Sequence, residues 1–150
     1  MRFNHITIMK KMAIALLLCW AAQIQAAEWL TDLPKALEKA KAEKKLVLMD
    51  FTGSDWCPPC KALHSTVLTS KTFEDYADKN LVLVVVDFPN KAEQSSELKK
   101  ANEALKDEFK IEGFPSVILL DTDRKQLKNL LGYNNESPNE FIAELAIKSK

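Results

Sequence analysis

Residues 46–61 read LVLMDFTGSDWCPPCK, an apolar run of strand length followed by a short polar loop and two cysteines separated by two prolines. Proline is favoured in the first turn of a helix, so Cys57 is predicted at a helix N-terminus with Cys60 one turn further in. Unpaired backbone N–H groups at that position favour the Cys57 thiolate, and Cys60 is near enough to resolve a mixed disulfide. The pair closes too small a ring to restrict the unfolded chain much, so chemistry explains it better than stabilisation does.

The rest of the chain alternates predicted helices and strands around this segment. Strands separated by helices imply βαβ units, and two closing strands around the turn at 121–125 add an antiparallel edge. The sequence therefore predicts an α/β fold in one domain, residues 27–150, with a central mixed sheet of about four strands and helices on both faces. The predicted strands are 46–51, 81–86, 117–120 and 126–131. The predicted helices begin after Thr31 or Asp32, after Cys57, at a Thr72–Asp75 capping box, at Glu93 and at a Ser137–Glu140 capping box.

Composition excludes several classes of function. The 150 residues carry 21 basic and 21 acidic side chains, so no basic excess is available to displace counterions from a nucleic acid, and no nucleic-acid partner is expected. Three cysteines are too few for a disulfide-rich scaffold. Cys57, Cys60 and His64 supply at most three metal ligands, with no fourth and no second cysteine pair, so neither a metal nor another cofactor is expected.

The first 26 residues have the pattern of a signal peptide. Basic residues precede an apolar core at 12–22, and Ala26 provides a small residue at the predicted cleavage site. The core is shorter than the roughly 20 residues that a membrane span needs. A buried N-terminal helix and a lipoprotein acylated at Cys19 are the alternatives. Cleavage after Ala26 would deliver residues 27–150 to an oxidising compartment, and a bacterial periplasm is the expected location.

The motifs together resemble the thioredoxin superfamily, in particular its exported bacterial thioredoxin-like members. The resemblance covers residues 46–132 and, with the flanking helices, nearly all of residues 27–150. The matching positions are Asp50-Phe51, Trp56 to Lys61, Val86-Asp87 after the second predicted strand, Gly113 to Ser116 and Gly132 after the last strand.

The resemblance implies roles for individual residues. Cys57 would be the attacking cysteine and Cys60 the resolving one, the two forming a redox-active disulfide. Pro115 would be a cis-proline lying against that disulfide, which agrees with the modest cost of a cis X–Pro bond. Phe114 would offer its backbone to an extended substrate. Trp56 and Gly132 would border the substrate groove, with simple core packing as the alternative for Trp56 and an ordinary trans peptide as the alternative for Pro115.

Asp50 resembles the family's buried carboxylate, which exchanges protons with the resolving cysteine. A lone carboxylate inside an apolar strand has a raised pKa and can act as a base near neutrality. The loop at 52–55 is one residue longer than in thioredoxin, which leaves open whether Asp50 points at Cys60. Asp55, at the start of the helix, is the alternative carboxylate.

Two further departures from thioredoxin bear on function. The segment from Pro89 to Lys110 is longer, and it is interpreted as additional packing in preference to a partner surface. Pro58-Pro59 supplies no histidine to stabilise the Cys57 thiolate, which favours the reducing direction.

The predicted function is therefore an exported thiol–disulfide oxidoreductase that reduces protein disulfides. It would be a monomer that receives its electrons from a membrane partner. The alternatives are a disulfide oxidant or isomerase, and a non-catalytic binding or metal-carrier module.

Overall fold

Residues 28–146, the part of the chain that the computed structural model describes, form a five-stranded mixed sheet with helices on both faces. The predicted signal peptide, residues 1–26, lies outside the described residues. Within residues 28–146, no helix has the length and apolar character needed to cross a membrane. The elements are β1 (Trp29–Leu30), α1 (Leu33–Glu43), β2 (Leu46–Thr52), α2 (Pro58–Leu63), a π-helical turn (His64–Leu68), α3 (Lys71–Asn80), β3 (Leu81–Asp87), α4 (Ser96–Glu108), β4 (Ser116–Leu120), β5 (Gln126–Leu131) and α5 (Pro138–Leu145).

The strands lie in the order β1-β3-β2-β4-β5. Strand β3 is parallel to β1 and β2, and β4 is antiparallel to β2 and β5. The α/β class and the mixed sheet are confirmed, whereas the predicted number of about four strands was one too low. The additional strand is β1, which has only two residues and pairs with Leu83 and Val84 of β3. A strand this short contains no alternation that a sequence pattern could reveal.

The central strands direct alternate side chains into two apolar layers. In one layer, α1 and α4 cover the sheet through residues such as Leu33 and Leu105. In the other, α2, the π-helical turn, α3 and α5 cover it through residues such as Leu63. Phe73 and Phe141 join α3 to α5 there, with ring centroids 6.1 Å apart. Burial of each such side chain is worth about 1.5–3 kcal/mol, so packing holds the helices in place.

Helices α1 and α5 begin where their capping residues predict. Asp32 accepts a hydrogen bond from the backbone N–H of Lys35 at 2.9 Å. Ser137 and Glu140 form the predicted capping box at the start of α5. Both helices therefore have a locally encoded N-terminus.

Helix α3 begins earlier than predicted. Its N-cap is Ser70 and not Thr72, because the Ser70 hydroxyl accepts from the Phe73 N–H at 3.2 Å and donates to the Val67 carbonyl at 2.6 Å. One side chain thus closes the preceding turn and opens the helix.

Helix α4 differs from its prediction in length and in its buried face. It begins at Ser96 instead of Glu93 and ends at Glu108, and it buries Asn102 with 1% exposure while Ala101 is exposed. Apolar periodicity favours Ala101 over Asn102 for a buried position, because a buried amide is rare without a specific partner.

The register of β2 against β3 positions two carboxylates. Thr52 pairs with Asp87, and Asp50 lies two residues before Thr52. Side chains two residues apart share a face, and Leu48 of the same strand belongs to the layer that contains α2. Asp50 therefore faces the layer of the helix that carries Cys60.

Candidate active site

Cys57 and Cys60 form a disulfide at the start of α2, directly after the loop that leaves β2. Cys57 is the N-cap residue, and its Sγ accepts from the Cys60 N–H at 3.4 Å. Each cysteine is 3% exposed. The pair thus combines the geometry of a helix N-terminus with a nearly complete shield from water.

The two prolines between the cysteines limit the donors available to Cys57. Pro58 and Pro59 occupy the first helical positions and have no N–H. An N-cap side chain normally accepts from the N–H of the second or third helical residue. Here only the third, Cys60, has one to give, so the backbone support for a Cys57 thiolate is reduced to a single donor.

The peptide bond between Phe114 and Pro115 is cis. The Pro115 carbonyl accepts from the Gly132 N–H at 2.8 Å. Gly132 has a φ of 80°, which favours glycine. The structure thus brings Phe114, Pro115 and Gly132 together in one loop pair beside β4 and β5.

Trp56 connects this loop pair to the cysteine segment. Its ring meets that of Phe114 edge-to-face, with centroids 5.9 Å apart. Its indole N–H donates to the Phe88 carbonyl at 2.7 Å, and the Phe88 and Phe114 rings lie 5.2 Å apart. Trp56 nevertheless remains 42% exposed. Core packing therefore does not explain this side chain, which is fixed in position while presenting an apolar face to solvent.

Asp50 is buried, with 5% exposure, and its Oδ1 has no hydrogen-bond partner. Burial, reinforced by the charge of Asp87, raises the pKa of this carboxyl to about 7. Asp50 and Cys60 line the same cavity of about 430 Å³, together with the exposed His64. The buried carboxyl and the inner cysteine thus border one common space.

Asp55 has a different role from that of a buried base. Its carboxylate accepts the backbone N–H groups of Asn90, Lys91 and Ala92 at 2.9, 2.6 and 3.0 Å. These bonds, led by the one from Asn90, lower the pKa of Asp55. Asp55 therefore fastens the loop after β3 to the cysteine loop.

Sequence reasoning missed three residues that build the site. Asp87 binds Ser54 through its backbone N–H at 3.0 Å and through its hydroxyl at 2.6 Å. Gly53 lies under Trp56, so that an added Cβ would stand 2.7 Å from the indole nitrogen. Asp87 was noted only as part of the Val86-Asp87 match, without a role, and no local signal identified the close approach at Gly53.

No group of three or more His, Cys, Asp or Glu side chains within residues 28–146 is arranged to hold a metal ion. His64 lies one turn beyond Cys60 but shares its cavity with Asp50 alone among the carboxylates that line it. The disulfide is thus the chemically distinctive group of this site.

Comparison with known proteins agrees with this geometry. Residues 33–147 match the thioredoxin-like domain family. The disulfide bond reductase DsbH of Chlamydia pneumoniae is 38% identical over 96 residues, which make up 64% of this chain and 58% of that protein. The thioredoxin-related protein DsbJ of the same organism is 31% identical over 137 residues, or 86% of this chain and 39% of that protein. The chain thus spans less than two thirds of the length of either relative.

A solved structure of a DsbH oxidoreductase has a TM-score of 0.74 and 33% sequence identity to this chain, covering 85% of this chain and 89% of that one. The family match extends from α1 to the end of α5, so it includes every strand of the sheet except β1. The resemblance read from the motifs is confirmed: the chain has the thioredoxin fold and belongs to the thioredoxin-like family.

Proposed function

We propose that this chain is an exported thiol–disulfide oxidoreductase that uses the Cys57–Cys60 pair to reduce disulfides in other proteins. The observation that carries the proposal is the disulfide at a helix N-terminus, next to a partly exposed, fixed tryptophan whose ring contacts Phe114 of the cis-proline loop. The name of the similar C. pneumoniae protein, disulfide bond reductase, supports both the chemistry and its direction.

The reaction begins with the Cys57 thiolate. It attacks one sulfur of a client disulfide, forms a mixed disulfide and releases the other client sulfur as a thiolate. Cys60 then loses its thiol proton and attacks the Cys57 sulfur, which closes the Cys57–Cys60 bond and releases the second client sulfur. The client gains two electrons, and the protein is left oxidised.

Asp50 accepts the proton that Cys60 loses. With a pKa of about 7, its carboxyl can take up and release a proton near neutrality. The cavity that Asp50 shares with Cys60 supports this role.

The client is positioned by four residues around the disulfide loop, namely Trp56, Phe114, Pro115 and Gly132. The backbone of Phe114 is available for strand-like pairing with an extended client segment, and Pro115 holds that backbone beside the disulfide. Trp56 supplies an exposed apolar surface on one side, and the turn at Gly132 borders the other.

The reducing direction follows from what surrounds Cys57. A strong oxidant has a stabilised dithiol form, which requires a well-supported thiolate. Pro59 removes the N–H donor of the second helical residue, and neither proline contributes a charge, so the dithiol form of this pair lacks that stabilisation. The measurement of the reduction potential below distinguishes a reductase from the alternative, an oxidant.

Export rests on residues 1–26 and their pattern of basic residues, apolar core and Ala26. Cleavage would place residues 27–150 in the periplasm, where a reductase needs a membrane partner to keep it reduced. Expression of the full chain in a bacterial host tests this. A periplasmic product beginning at Ala27 is the expected result, and an uncleaved cytoplasmic product would contradict it.

Reduction of insulin by dithiothreitol tests the activity. The native protein should accelerate the precipitation of the free B chain, and Cys57→Ser should abolish the effect. Pre-reduced Cys60→Ser, mixed with insulin after the dithiothreitol has been removed, should trap a mixed disulfide detectable by mass. Equilibration with glutathione or dithiothreitol then measures the reduction potential of the Cys57–Cys60 pair, which determines the direction of exchange. A potential near ~−270 mV supports a reductase, and one near ~−120 mV would make the protein an oxidant. If the Cys57–Cys60 pair does not exchange between its disulfide and dithiol forms, the remaining interpretation is a non-catalytic binding module.

A further inference from the structure

A cleft of about 460 Å³ opens beside the exposed tryptophan, between the cysteine loop and α4. Trp56, Phe88 and Phe114 form its aromatic side, and α4 contributes Lys99 and Lys106 to the opposite side. A cleft of this size accommodates more than one side chain. Most of its other lining residues belong to the segment 89–110, which is longer than its thioredoxin counterpart.

The charges on α4 leave one cation available in the cleft. Lys106 lies 3.6 Å from the carboxylate of Glu103 and 5.7 Å from the centre of the Phe88 ring. Lys106 and Glu103 thus form an ion pair at the edge of the cleft. Lys99 forms no ion pair with any residue in the described part of the chain, 28–146. The cleft therefore presents an unmatched positive charge next to an apolar wall.

The floor of the cleft contains a polar group with an unused acceptor. Asn102 is 1% exposed, and its amide nitrogen donates to the Asp87 carbonyl at 2.9 Å. Its Oδ1 has no partner. A buried acceptor of this kind is costly to leave without a donor.

We propose that this cleft binds client residues next to the target cysteine, with Lys99 selecting an acidic side chain. The inference rests on the proposed function and names its substrate class. A client paired with the Phe114 backbone rises about 3.3 Å per residue, so residues two to four positions from its cysteine extend past Trp56. There an Asp or Glu carboxylate meets Lys99, and an apolar neighbour packs on Phe88.

Lys100 provides a matched control. It follows Lys99 on the same helix and is exposed, but it does not line the cleft. Lys99→Glu and Lys100→Glu change the net charge equally, so any difference between the two variants reports position and not total charge.

The test uses three disulfide-linked peptide substrates that are identical except for Glu, Gln or Lys at positions two to four from the cysteine. The reduced native protein is expected to prefer the Glu peptide over the Lys peptide in kcat/KM by about two- to five-fold at low salt. Lys99→Glu should reverse the order, and Lys100→Glu should keep it. Addition of 0.5 M salt should remove the preference, because it screens exposed charges.

The outcomes separate this inference from the proposed function. Equal rates for the Glu and Lys peptides with the native protein would overturn the inference while leaving the reductase intact. Equal shifts in Lys99→Glu and Lys100→Glu would also overturn it, because the effect would then be one of net charge. Failure to reduce any of the three peptides, including the Gln peptide, would instead contradict the proposed function.

Discussion

The ionised form of Asp50 is electrostatically unfavourable in the folded protein, because its carboxyl is buried. One of its oxygens has no hydrogen-bond partner, and the nearby charge of Asp87 adds like-charge repulsion. A buried carboxyl in such a place holds its proton to a higher pH than a solvated one does. The property that makes Asp50 a useful base near neutrality therefore also destabilises the fold once the proton has left.

We expect the free energy of unfolding of the oxidised protein to fall as pH rises from about 4 to about 7. The folded-state pKa of Asp50 is raised from 3.8 to about 7. In that window the folded chain keeps the proton that the unfolded chain has lost, so stability is highest below the window and is lost through it. Asp50→Asn should lack this loss and exceed the native protein above pH 7 by an amount on the order of 4 kcal/mol.

Urea titrations at several pH values measure this difference. Asp78→Asn is a suitable control, because Asp78 is exposed on α3 and away from the site. A native protein that remained as stable as Asp50→Asn at pH 8 would contradict the burial of an unpaired charge. The same Asp50→Asn protein should resolve mixed disulfides more slowly, since Cys60 would lose its proton acceptor.

Gly53 matters through the side chain above it. An alanine there would place its Cβ 2.7 Å from the Trp56 indole nitrogen, and the ring is held by its bond to Phe88. Gly53→Ala should therefore cost about 1–3 kcal/mol of stability and move the tryptophan. Gly113→Ala is the control, because its Cβ would meet only Leu131 at 3.4 Å. Chemical denaturation and tryptophan fluorescence check both variants, and equal behaviour would refute the tight fit.

At the scale of elements, two carboxylates join the cysteine loop to the end of β3. Asp87 binds Ser54, and Asp55 binds the N–H groups of the loop from Asn90 to Ala92. The 89–110 segment is therefore attached to the active site at its start, while Leu105 of α4 packs into the core. The buried face of α4 agrees with the interpretation of this segment as additional packing, while the loop before α4 is bonded to the cysteine loop.

Asp55→Ala should release this loop. Three backbone N–H groups would lose their acceptor, so hydrogen exchange at residues 90–92 should become faster while exchange in β2 and β3 stays unchanged. Asp75→Ala, which removes only an exposed ion pair with Lys71 on α3, serves as the comparison. Unchanged exchange at 90–92 would mean that the loop is held by something other than Asp55.

The elements that could be predicted from sequence are those with a local cause. Strands β2 and β3 follow from apolar runs, and the capping box at Ser137 marks α5 from four residues alone. By contrast, β1 exists because β3 offers an edge, and Asn102 is buried because the Asp87 carbonyl accepts its amide. Both depend on partners distant in sequence, which periodicity does not reveal.

The same distinction applies to the site. The spacing of Cys57 and Cys60 identified the chemistry, since one helical turn fixes their separation. The roles of Asp55 and Gly53 were missed because each depends on a contact made only when the chain has folded. The pKa of Asp50 was predicted in direction because an acidic residue inside an apolar strand is buried wherever that strand lies in the sheet.

At the scale of the whole molecule, the redox state of one bond is coupled to the stability of the fold. Folded and unfolded chains each have a reduction potential for the Cys57–Cys60 pair, and the two differ by the effect of oxidation on folding. A reductase has the more negative potential when folded, so its oxidised form is the more stable one. A gap of 60 mV corresponds to about 2.8 kcal/mol.

We therefore expect the oxidised protein to melt above the reduced protein, by a Tm difference on the order of 10 °C for such a gap. Pro59→Ala should narrow the difference, because it returns an N–H donor to the helix N-terminus and stabilises the Cys57 thiolate of the reduced form. Calorimetry with and without excess dithiothreitol measures both proteins, and the Cys57→Ser/Cys60→Ser double variant, which should not respond to the reductant, controls for its other effects. A reduced form that melted higher would reverse the sign of the coupling and identify an oxidant, because the fold would then be stabilising the dithiol.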